Sequence, residues 1–302
     1  MRLQTPILFL VFNRPDQALL VFEEIRKQQP ERLFIAADGP RSHKPGEAVL
    51  CKETREEILK RIDWDCEVNT LFQTHNLGCG KAVSSAVNWF FNNVEEGIIL
   101  EDDCLPDPTF FSFCTSLLAH YRTNEKVMHI SGTNYQMGIE RGDGSYYFSH
   151  YTHIWGWASW RRAWKKYDFS LERYKDASKE GLNTRLRADL DAIYGNEIDT
   201  WDIQWFMSVW FNRGWTITPN TNLIRNIGYG KQATHTKYVP AWFKRMQYGD
   251  MPVIIHPSVI KIDEDADRYA ASTLFKTTHL LSKVKKLVKS VLPQKLYELI
   301  AG

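Results

Sequence analysis

Three consecutive acids, Glu101, Asp102 and Asp103, directly follow the apolar run 97–100. Like charges this close repel, and each raises the pKa of its neighbours unless a cation lies between them. Carboxylate oxygens suit Mg²⁺ and Mn²⁺, and Mg²⁺ typically takes one or two carboxylates and completes its shell with water and substrate phosphates. Capping of a following helix explains Asp107 but leaves Asp102 and Asp103 unexplained. The triplet therefore predicts a divalent-cation site for a diphosphate-bearing substrate.

Polar clusters also follow three earlier apolar runs of the chain. They are Asn13-Arg14-Pro15, Asp38-Gly39-Pro40-Arg41 and Asn76-Leu77-Gly78-Cys79-Gly80-Lys81. Each has an ordinary alternative, because the first suits a helix start, the second a turn and the third a loop before a helix. Their shared position after strand-like runs favours one common site.

The elements that must position these clusters alternate regularly through the first hundred residues. Apolar runs predict strands near 6–12, 32–37, 67–73 and 97–100, and helical patterns predict helices near 15–28, 46–61 and 80–93. Strands that alternate with helices pair in parallel, because a parallel pair needs a long crossover. The pattern predicts an open α/β sheet with helices on its faces, and ligands bind such sheets beyond the carboxyl ends of the strands.

The motifs resemble one family of nucleotide-sugar enzymes. The residues that carry the resemblance are Asn13-Arg14-Pro15, Asp38-Gly39, the Glu101-Asp102-Asp103 triplet with Pro106-Asp107-Pro108-Thr109-Phe110-Phe111 after it, Gly156-Trp157 and Trp201-Asp202. Over roughly residues 4–240 the chain resembles the bacterial branch of the inverting GT-A glycosyltransferases related to N-acetylglucosaminyltransferase I, within the nucleotide-diphospho-sugar transferase superfamily. The resemblance implies a GT-A fold, which is an open, mixed, Rossmann-like sheet flanked by helices.

The resemblance also implies roles for the acidic triplet. Asp103 matches the direct ligand of a Mn²⁺ or Mg²⁺ ion on the donor diphosphate, Asp102 matches a ribose-side contact and Glu101 a donor-sugar contact. It implies a UDP-sugar donor, with N-acetylglucosamine as the first guess for the sugar. The implied acceptor is a glycan or a lipid-linked glycan.

Four further residues are expected beside the donor on the same basis. Asn13 and Arg14 match positions near the nucleotide, and Asp38 matches a position that faces the base. Lys81 matches more loosely, although a cation beside the pyrophosphate would stabilise the transferred dianion.

The second half of the chain is rich in tryptophan, and most of these side chains are expected in the core. Trp157, in the Gly-Trp motif, is the candidate sugar platform, because flat apolar rings suit the C–H faces of pyranoses. Inversion needs a base for the acceptor hydroxyl, and Asp202 matches the base of the family through its Trp-Asp context. The alternative for this segment is helix N-capping, which Asp199 or Thr200 would serve equally well.

A glycine-spaced loop that contains His235 follows at 226–236. A single histidine is usually structural. A loop of this kind can also fold over a bound donor, which would place His235 against the metal or the phosphates and exclude water.

The segment 279–302 predicts a basic amphipathic helix broken at Pro293, with Lys283, Lys285, Lys286, Lys289 and Lys295 against one acid, Glu298. Such a helix can contact an anionic membrane surface peripherally, or it can pack on the core or on another subunit. The predicted organisation is a GT-A domain over 1–275, with a nucleotide-binding half at 1–105 and an acceptor half at 106–275, followed by this helix at 276–302.

Composition limits the function classes. A formal charge of +2 provides no overall field to attract nucleic acid. Five cysteines without a CxxC pair favour a reducing compartment. The apolar run near the N-terminus is too short to span a bilayer and lacks a signal-peptide cleavage site. We therefore expect a cytoplasmic protein, with peripheral contact at the inner face of the cell membrane as an extension.

The sequence thus predicts a metal-dependent inverting glycosyltransferase. Two alternatives stay open. The first is a non-catalytic nucleotide-sugar or glycan-binding protein on the same fold. The second is a sugar-1-phosphate nucleotidylyltransferase, which is expected to show a glycine- and arginine-rich loop after the first strand, where this chain has Asn13-Arg14-Pro15-Asp16.

Overall fold

The structure is a computed structural model that describes residues 2–229 and 239–274. The strands in this part of the chain are β1 (Ile7–Val11), β2 (Arg32–Ala37), β3 (Glu67–Phe72), β4 (Glu96–Glu101), β5 (Cys104–Pro106), β6 (Val127–Ser131), β7 (Tyr146–Ser149), β8 (Trp157–Trp160), β9 (Trp215–Pro219) and β10 (Ile224–Asn226). The helices are α1 (Pro15–Gln28), α2 (Glu47–Lys60), α3 (Cys79–Asn93), α4 (Pro108–His120), α5 (Arg161–Trp164), α6 (Thr184–Tyr194), α7 (Asp202–Phe211) and α8 (Glu264–Leu274).

Most of these strands form one mixed sheet. Its order is β3-β2-β1-β4-β8-β6-β9-β7 in the described residues, and β10 pairs with β5 in a separate small ladder. Strands β3, β2, β1 and β4 are parallel, and β8 runs antiparallel to both β4 and β6. The carboxyl ends of β1, β2, β3 and β4 therefore lie at one edge of the sheet, where the predicted polar clusters follow them.

Alternation along β1 shows why helices cover both faces of the sheet. Ile7, Phe9 and Val11 pack into one hydrophobic cluster with α1 and α4, whereas Leu8 and Leu10 pack into a second cluster with α3 and α7. Successive side chains of a strand point to opposite faces, so a fully apolar strand requires cover on both sides.

Proline and aspartate fix the starts of two helices beside this edge. Pro15 is the first residue of α1, where the missing N–H costs nothing. Asp107 caps α4, because its Oδ1 accepts a hydrogen bond from Thr109 N at 2.8 Å.

The predicted fold class, an open mixed α/β sheet flanked by helices, is confirmed, and the strands and helices predicted in the first hundred residues are all present. The sheet is continuous across the two predicted halves of the chain, and the division into those halves stays a prediction. The predicted helix at 276–302 lies outside the described residues.

Candidate functional site

Two adjoining cavities open at the carboxyl ends of the parallel strands. The first has a volume of about 400 Å³ and lies between the ends of β1, β2 and β4 and the first turn of α3. The second, of about 330 Å³, extends to the start of α7. The residues that line both are Arg14, Cys79, Glu101, Asp103 and Asp199. Glu101, the last residue of β4, and Asp103 therefore lie where the two cavities meet.

An arginine partly neutralises the triplet. Arg14 Nη2 lies 2.7 Å from Asp102 Oδ1, and Arg14 Nη1 lies 3.2 Å from Asp103 Oδ2. Asp102 is buried and its Oδ2 also accepts a hydrogen bond from Phe12 N at 3.2 Å. The sequence predicted the repulsion among the acids correctly but did not predict that Arg14 would pair with two of them.

With all three acids ionised, one arginine would leave an excess of negative charge. Burial raises the pKa of Glu101 well above its ordinary value, and Asp103, Asp102 and Asp202 raise it further. Burial also raises the pKa of Asp102 to about 7, although Arg14 opposes the shift. A bound cation would lower both pKa values, because it favours the ionised carboxylates.

Asp103 fits a metal site of one carboxylate. In residues 2–229 and 239–274, no three His, Cys, Asp or Glu side chains converge to hold a metal ion. The Asp103 side chain is 19% exposed and borders both cavities. Its Oδ1 accepts a hydrogen bond from Cys104 Sγ at 3.5 Å and lies 3.5 Å from Asn226 Nδ2, at the limit of hydrogen bonding for a nitrogen donor. A Mn²⁺ or Mg²⁺ ion would therefore take Asp103 from the protein and its other oxygens from phosphate and water.

Asp38 joins two of the loops that border the first cavity. Its Oδ1 accepts hydrogen bonds from Gly39 N at 2.8 Å and Leu77 N at 2.9 Å, and its Oδ2 accepts one from Asn76 Nδ2 at 2.7 Å. Burial raises the pKa of this carboxyl, and the backbone donors oppose the shift. Asp38 lines the first cavity, and its predicted contact with the base stays a prediction.

Asn13 is connected to the first cavity through the side chains of Glu47 and Arg41. Its Nδ2 donates to Glu47 Oε1 at 2.8 Å, and Glu47 in turn forms an ion pair with Arg41. Arg41 lines the first cavity, with its guanidinium carbon 5.6 Å from the centre of the Phe12 ring. Asn13 itself is not one of the described residues that line the two cavities. Glu47 was missed, because nothing in the local sequence marks a partner six residues from Arg41.

Lys81 does not reach the site in this structure. It is exposed on the first turn of α3 and is absent from the described residues that line the two cavities. The start of α3 instead contacts an acid, because Gly80 N donates to Asp199 Oδ1 at 2.9 Å. Lys81 therefore does not place its ammonium group at the cavities, where a cation beside the pyrophosphate was predicted.

Asp202 is the first residue of α7 and lines the second cavity. The N-cap residue is Trp201, which makes no side-chain capping bond, and the Asp202 carboxylate is hydrogen-bonded by the Thr200 hydroxyl. Asp199 contacts Gly80 on α3 rather than the backbone of α7. The alternative of N-capping by Asp199 or Thr200 is thus not what the structure shows.

The prediction of Trp157 as a sugar platform is wrong. Its side chain is 0% exposed, and it stacks with Trp201 at 5.7 Å and His129 at 5.2 Å between ring centroids. Trp157 starts β8, in the middle of the sheet, so it belongs to the core. Trp155, two residues earlier and outside the strand, is partly exposed and lines the second cavity.

Two predictions fall on other parts of the chain. His235 and the segment 279–302 lie outside the described residues. Within the described residues, no helix combines the length and apolar character that a membrane span requires. All five cysteines are free.

No family model matches the chain, and no curated protein matches it. Solved structures that are similar include a cytidylyltransferase from Leptospira borgpetersenii serovar Hardjo-bovis, with 13% identity and a TM-score of 0.34 over 55% of this chain and 64% of the other. S. aureus TarS 1-349 has 10% identity and a TM-score of 0.43, over 73% of this chain and 59% of the other. A UDP-glucose pyrophosphorylase complexed with UDP-glucose has 13% identity and a TM-score of 0.40, over 72% and 90%. These matches are too remote to assign an activity.

Proposed function

We propose that the protein is a metal-dependent inverting glycosyltransferase that moves a sugar from a nucleoside diphosphate donor to a glycan or lipid-linked glycan acceptor. The supporting observation is that Glu101 and Asp103 border two adjoining cavities. A transferase of this kind needs one space for the nucleotide and another for the acceptor, with the reacting diphosphate between them. UDP and N-acetylglucosamine are the favoured base and sugar, from the family resemblance.

The proposed step exchanges one bond for another. The acceptor hydroxyl oxygen bonds to the anomeric carbon while the bond from that carbon to the diphosphate oxygen breaks, and the diphosphate leaves with the electron pair. Asp202 takes the hydroxyl proton, since it lines the second cavity together with Glu101 and Asp103. Arg14 adds a positive charge where the cavities meet. A divalent ion on Asp103 would neutralise charge on the leaving diphosphate.

The first test removes the proposed metal ligand. Asp103→Asn should abolish Mn²⁺-dependent binding of UDP-N-acetylglucosamine and leave the melting temperature nearly unchanged, because this partly exposed carboxylate is not part of the hydrophobic core. Isothermal titration with and without Mn²⁺ measures the binding. The matched control is Asp16→Asn, an exposed acid on α1 that should leave the affinity intact. Mn²⁺-dependent affinity that survives in Asp103→Asn would remove the metal assignment.

Product analysis separates the proposal from its two alternatives. A glycosyltransferase offered UDP-sugar and an acceptor releases UDP, whereas a nucleotidylyltransferase offered UTP and a sugar 1-phosphate releases pyrophosphate. A binding protein retains the donor and releases neither product. Release of pyrophosphate, with no UDP formed from any acceptor, would contradict the proposed reaction.

A further inference from the structure

The second cavity has an aromatic side whose residues have no role in the proposed reaction. Trp155 lines the cavity together with Tyr229. The centre of the Trp155 ring lies 5.8 Å from that of Tyr229, 6.0 Å from Phe243 and 5.8 Å from Tyr135. Trp242 lies 6.1 Å away and also contacts Tyr135. We call Tyr135, Trp155, Tyr229, Trp242 and Phe243 the aromatic wall.

The aromatic wall differs from the tryptophan core beneath it. Trp157, Trp201 and Trp205 are at most 2% exposed; Trp157 stacks on Trp201 and meets Trp205 at a tilt. Trp201 also borders the second cavity, but almost none of its side chain is open to a ligand. Trp155 is partly exposed, and among the described residues each ring of the aromatic wall meets it tilted or edge-on rather than face to face. Aromatic faces that border a cavity offer a flat apolar contact to a ligand.

The rest of the cavity is acidic. Glu101, Asp103, Asp199 and Asp202 line it, and Arg14 is the one basic side chain that does so in the described part of the chain. Asp103, Asp199 and Asp202 place three carboxylates against one guanidinium, which disfavours a second phosphorylated ligand. Carboxylate oxygens instead accept hydrogen bonds from hydroxyl groups. The cavity therefore pairs an apolar flat side with hydrogen-bond acceptors.

A neutral pyranose has the matching chemistry, because its C–H face is apolar and its hydroxyl groups point outward around the ring. The volume of about 330 Å³ is at the small end of ligand pockets and suits one sugar ring better than a long chain. We infer that the second cavity binds a single uncharged pyranose of the acceptor, stacked on Trp155, with a hydroxyl directed to the acids. The inference rests on the proposed function for the identity of the acceptor cavity.

The experiment measures binding of methyl pyranosides, so it does not require turnover. Saturation-transfer NMR with methyl glucoside, methyl galactoside and methyl N-acetylglucosaminide is recorded in the presence of UDP and Mg²⁺, which is diamagnetic and does not broaden the ligand signals. We expect at least one to bind the wild type and to bind Trp155→Ala about tenfold more weakly, the loss of one aromatic contact. Trp155→Phe keeps a ring and should bind with intermediate affinity. The control is Trp215→Phe, at the start of β9 and outside the described residues that line either cavity, which should bind like the wild type.

Other outcomes of these measurements would contradict the pyranose site. Equal affinity of the wild type and Trp155→Ala, or no binding of any methyl pyranoside to a wild type that binds UDP and Mg²⁺, would overturn it. If Trp155→Ala does not fold, unchanged affinity in both Trp155→Phe and Trp155→Leu overturns it instead. UDP affinity is measured in parallel, because a wild type that fails to bind UDP contradicts the proposed function rather than the pyranose site.

Discussion

Asp199 and Asp202 are three residues apart, yet they contact different parts of the protein. Asp199 Oδ1 accepts a hydrogen bond from Gly80 N, and so connects the loop before α7 to the start of α3. Asp202 is hydrogen-bonded by the neighbouring Thr200 hydroxyl and lines the second cavity. The first contact is between two elements and positions a loop. The second is local, and it leaves the carboxylate beside the space where an acceptor would bind.

This difference predicts opposite results for two matched variants. Asp202→Asn should lower kcat by a factor on the order of 10²–10⁴, the range for loss of a general base, with donor affinity nearly unchanged. Asp199→Asn retains a carbonyl oxygen that can accept from Gly80 N, so kcat should stay within a few-fold of wild type. Steady-state rates at saturating donor, with donor affinity from titration, measure both. A large loss of kcat in Asp199→Asn with Asp202→Asn spared would assign the base to Asp199.

At the residue scale, the sequence predicted best the side chains that directly follow a strand. The triplet, Arg14 and Asp38 line the first cavity because parallel strands end at one edge of the sheet. The prediction of Trp157 as a sugar platform was wrong, because a Gly-Trp motif does not reveal that the tryptophan begins a central strand. Trp155 carries the same side-chain chemistry, and only the three-dimensional structure shows that it borders a cavity.

At the scale of elements, the turn after β10 determines where the Asp103 carboxylate can lie. β10 pairs with β5 so that Asn226 is opposite Cys104, and Ile227 N donates to Asp103 O at 2.8 Å. A Cβ placed on Gly228 would lie 2.2 Å from Asp103 Oδ2 and 2.9 Å from Asp103 Cβ. The turn therefore approaches the strand end as closely as a residue without a side chain permits.

Gly228→Ala should accordingly weaken Mn²⁺-dependent donor binding several-fold. The added methyl group must displace the Asp103 carboxylate or the turn, and it would approach the same Oδ2 that pairs with Arg14. The free energy of unfolding should fall by roughly 1 kcal/mol or less, because the displaced group is partly exposed. Gly195→Ala, at the end of α6, is the control and should leave binding unchanged. Wild-type affinity in Gly228→Ala would show that the turn does not restrict Asp103.

The elements themselves were predictable in the first half of the chain, where each strand and helix has its own periodicity. The helix predicted at 46–61 is observed at Glu47–Lys60, and the strand predicted at 32–37 at Arg32–Ala37. The order of the later strands was not predicted, because β8 inserts between β4 and β6 from a distant part of the chain. Pairings of that kind depend on tertiary packing rather than on local pattern.

At the scale of the whole molecule, two histidines lie in the core where the sheet meets α7. His129 and His153 are both buried. His129 Nε2 donates to His153 O at 3.0 Å, and Trp205 Nε1 donates to His129 Nδ1 at 3.1 Å, so the His129 ring is neutral. Burial lowers the pKa of His129 to about 4 and that of His153 to about 3. Burial therefore disfavours protonation of both imidazole rings in the folded protein.

These pKa values predict a loss of stability in acid. The unfolded chain binds a proton at His129 near pH 6.5 and the folded protein does so near pH 4, so its contribution is complete above pH 6.5 and lost as the pH falls to about 4. The loss is about 3 kcal/mol for this residue. Asp102 acts in the opposite direction, because its raised pKa favours the folded state as the pH falls below 7.

The difference in free energy of unfolding between the wild type and a His129 variant separates the contribution of this histidine from that of the carboxylates. The free energy of unfolding of the wild type and of His129→Gln is measured by urea denaturation at intervals from pH 7.5 to pH 4.5, and the acids contribute equally to both. Over this interval the wild type should lose about 2 to 3 kcal/mol more than His129→Gln, because glutamine has no proton to gain. His43→Gln, in an exposed histidine, should follow the wild type at every pH. Parallel pH profiles for the wild type and His129→Gln would mean that protonation of His129 does not contribute to acid unfolding.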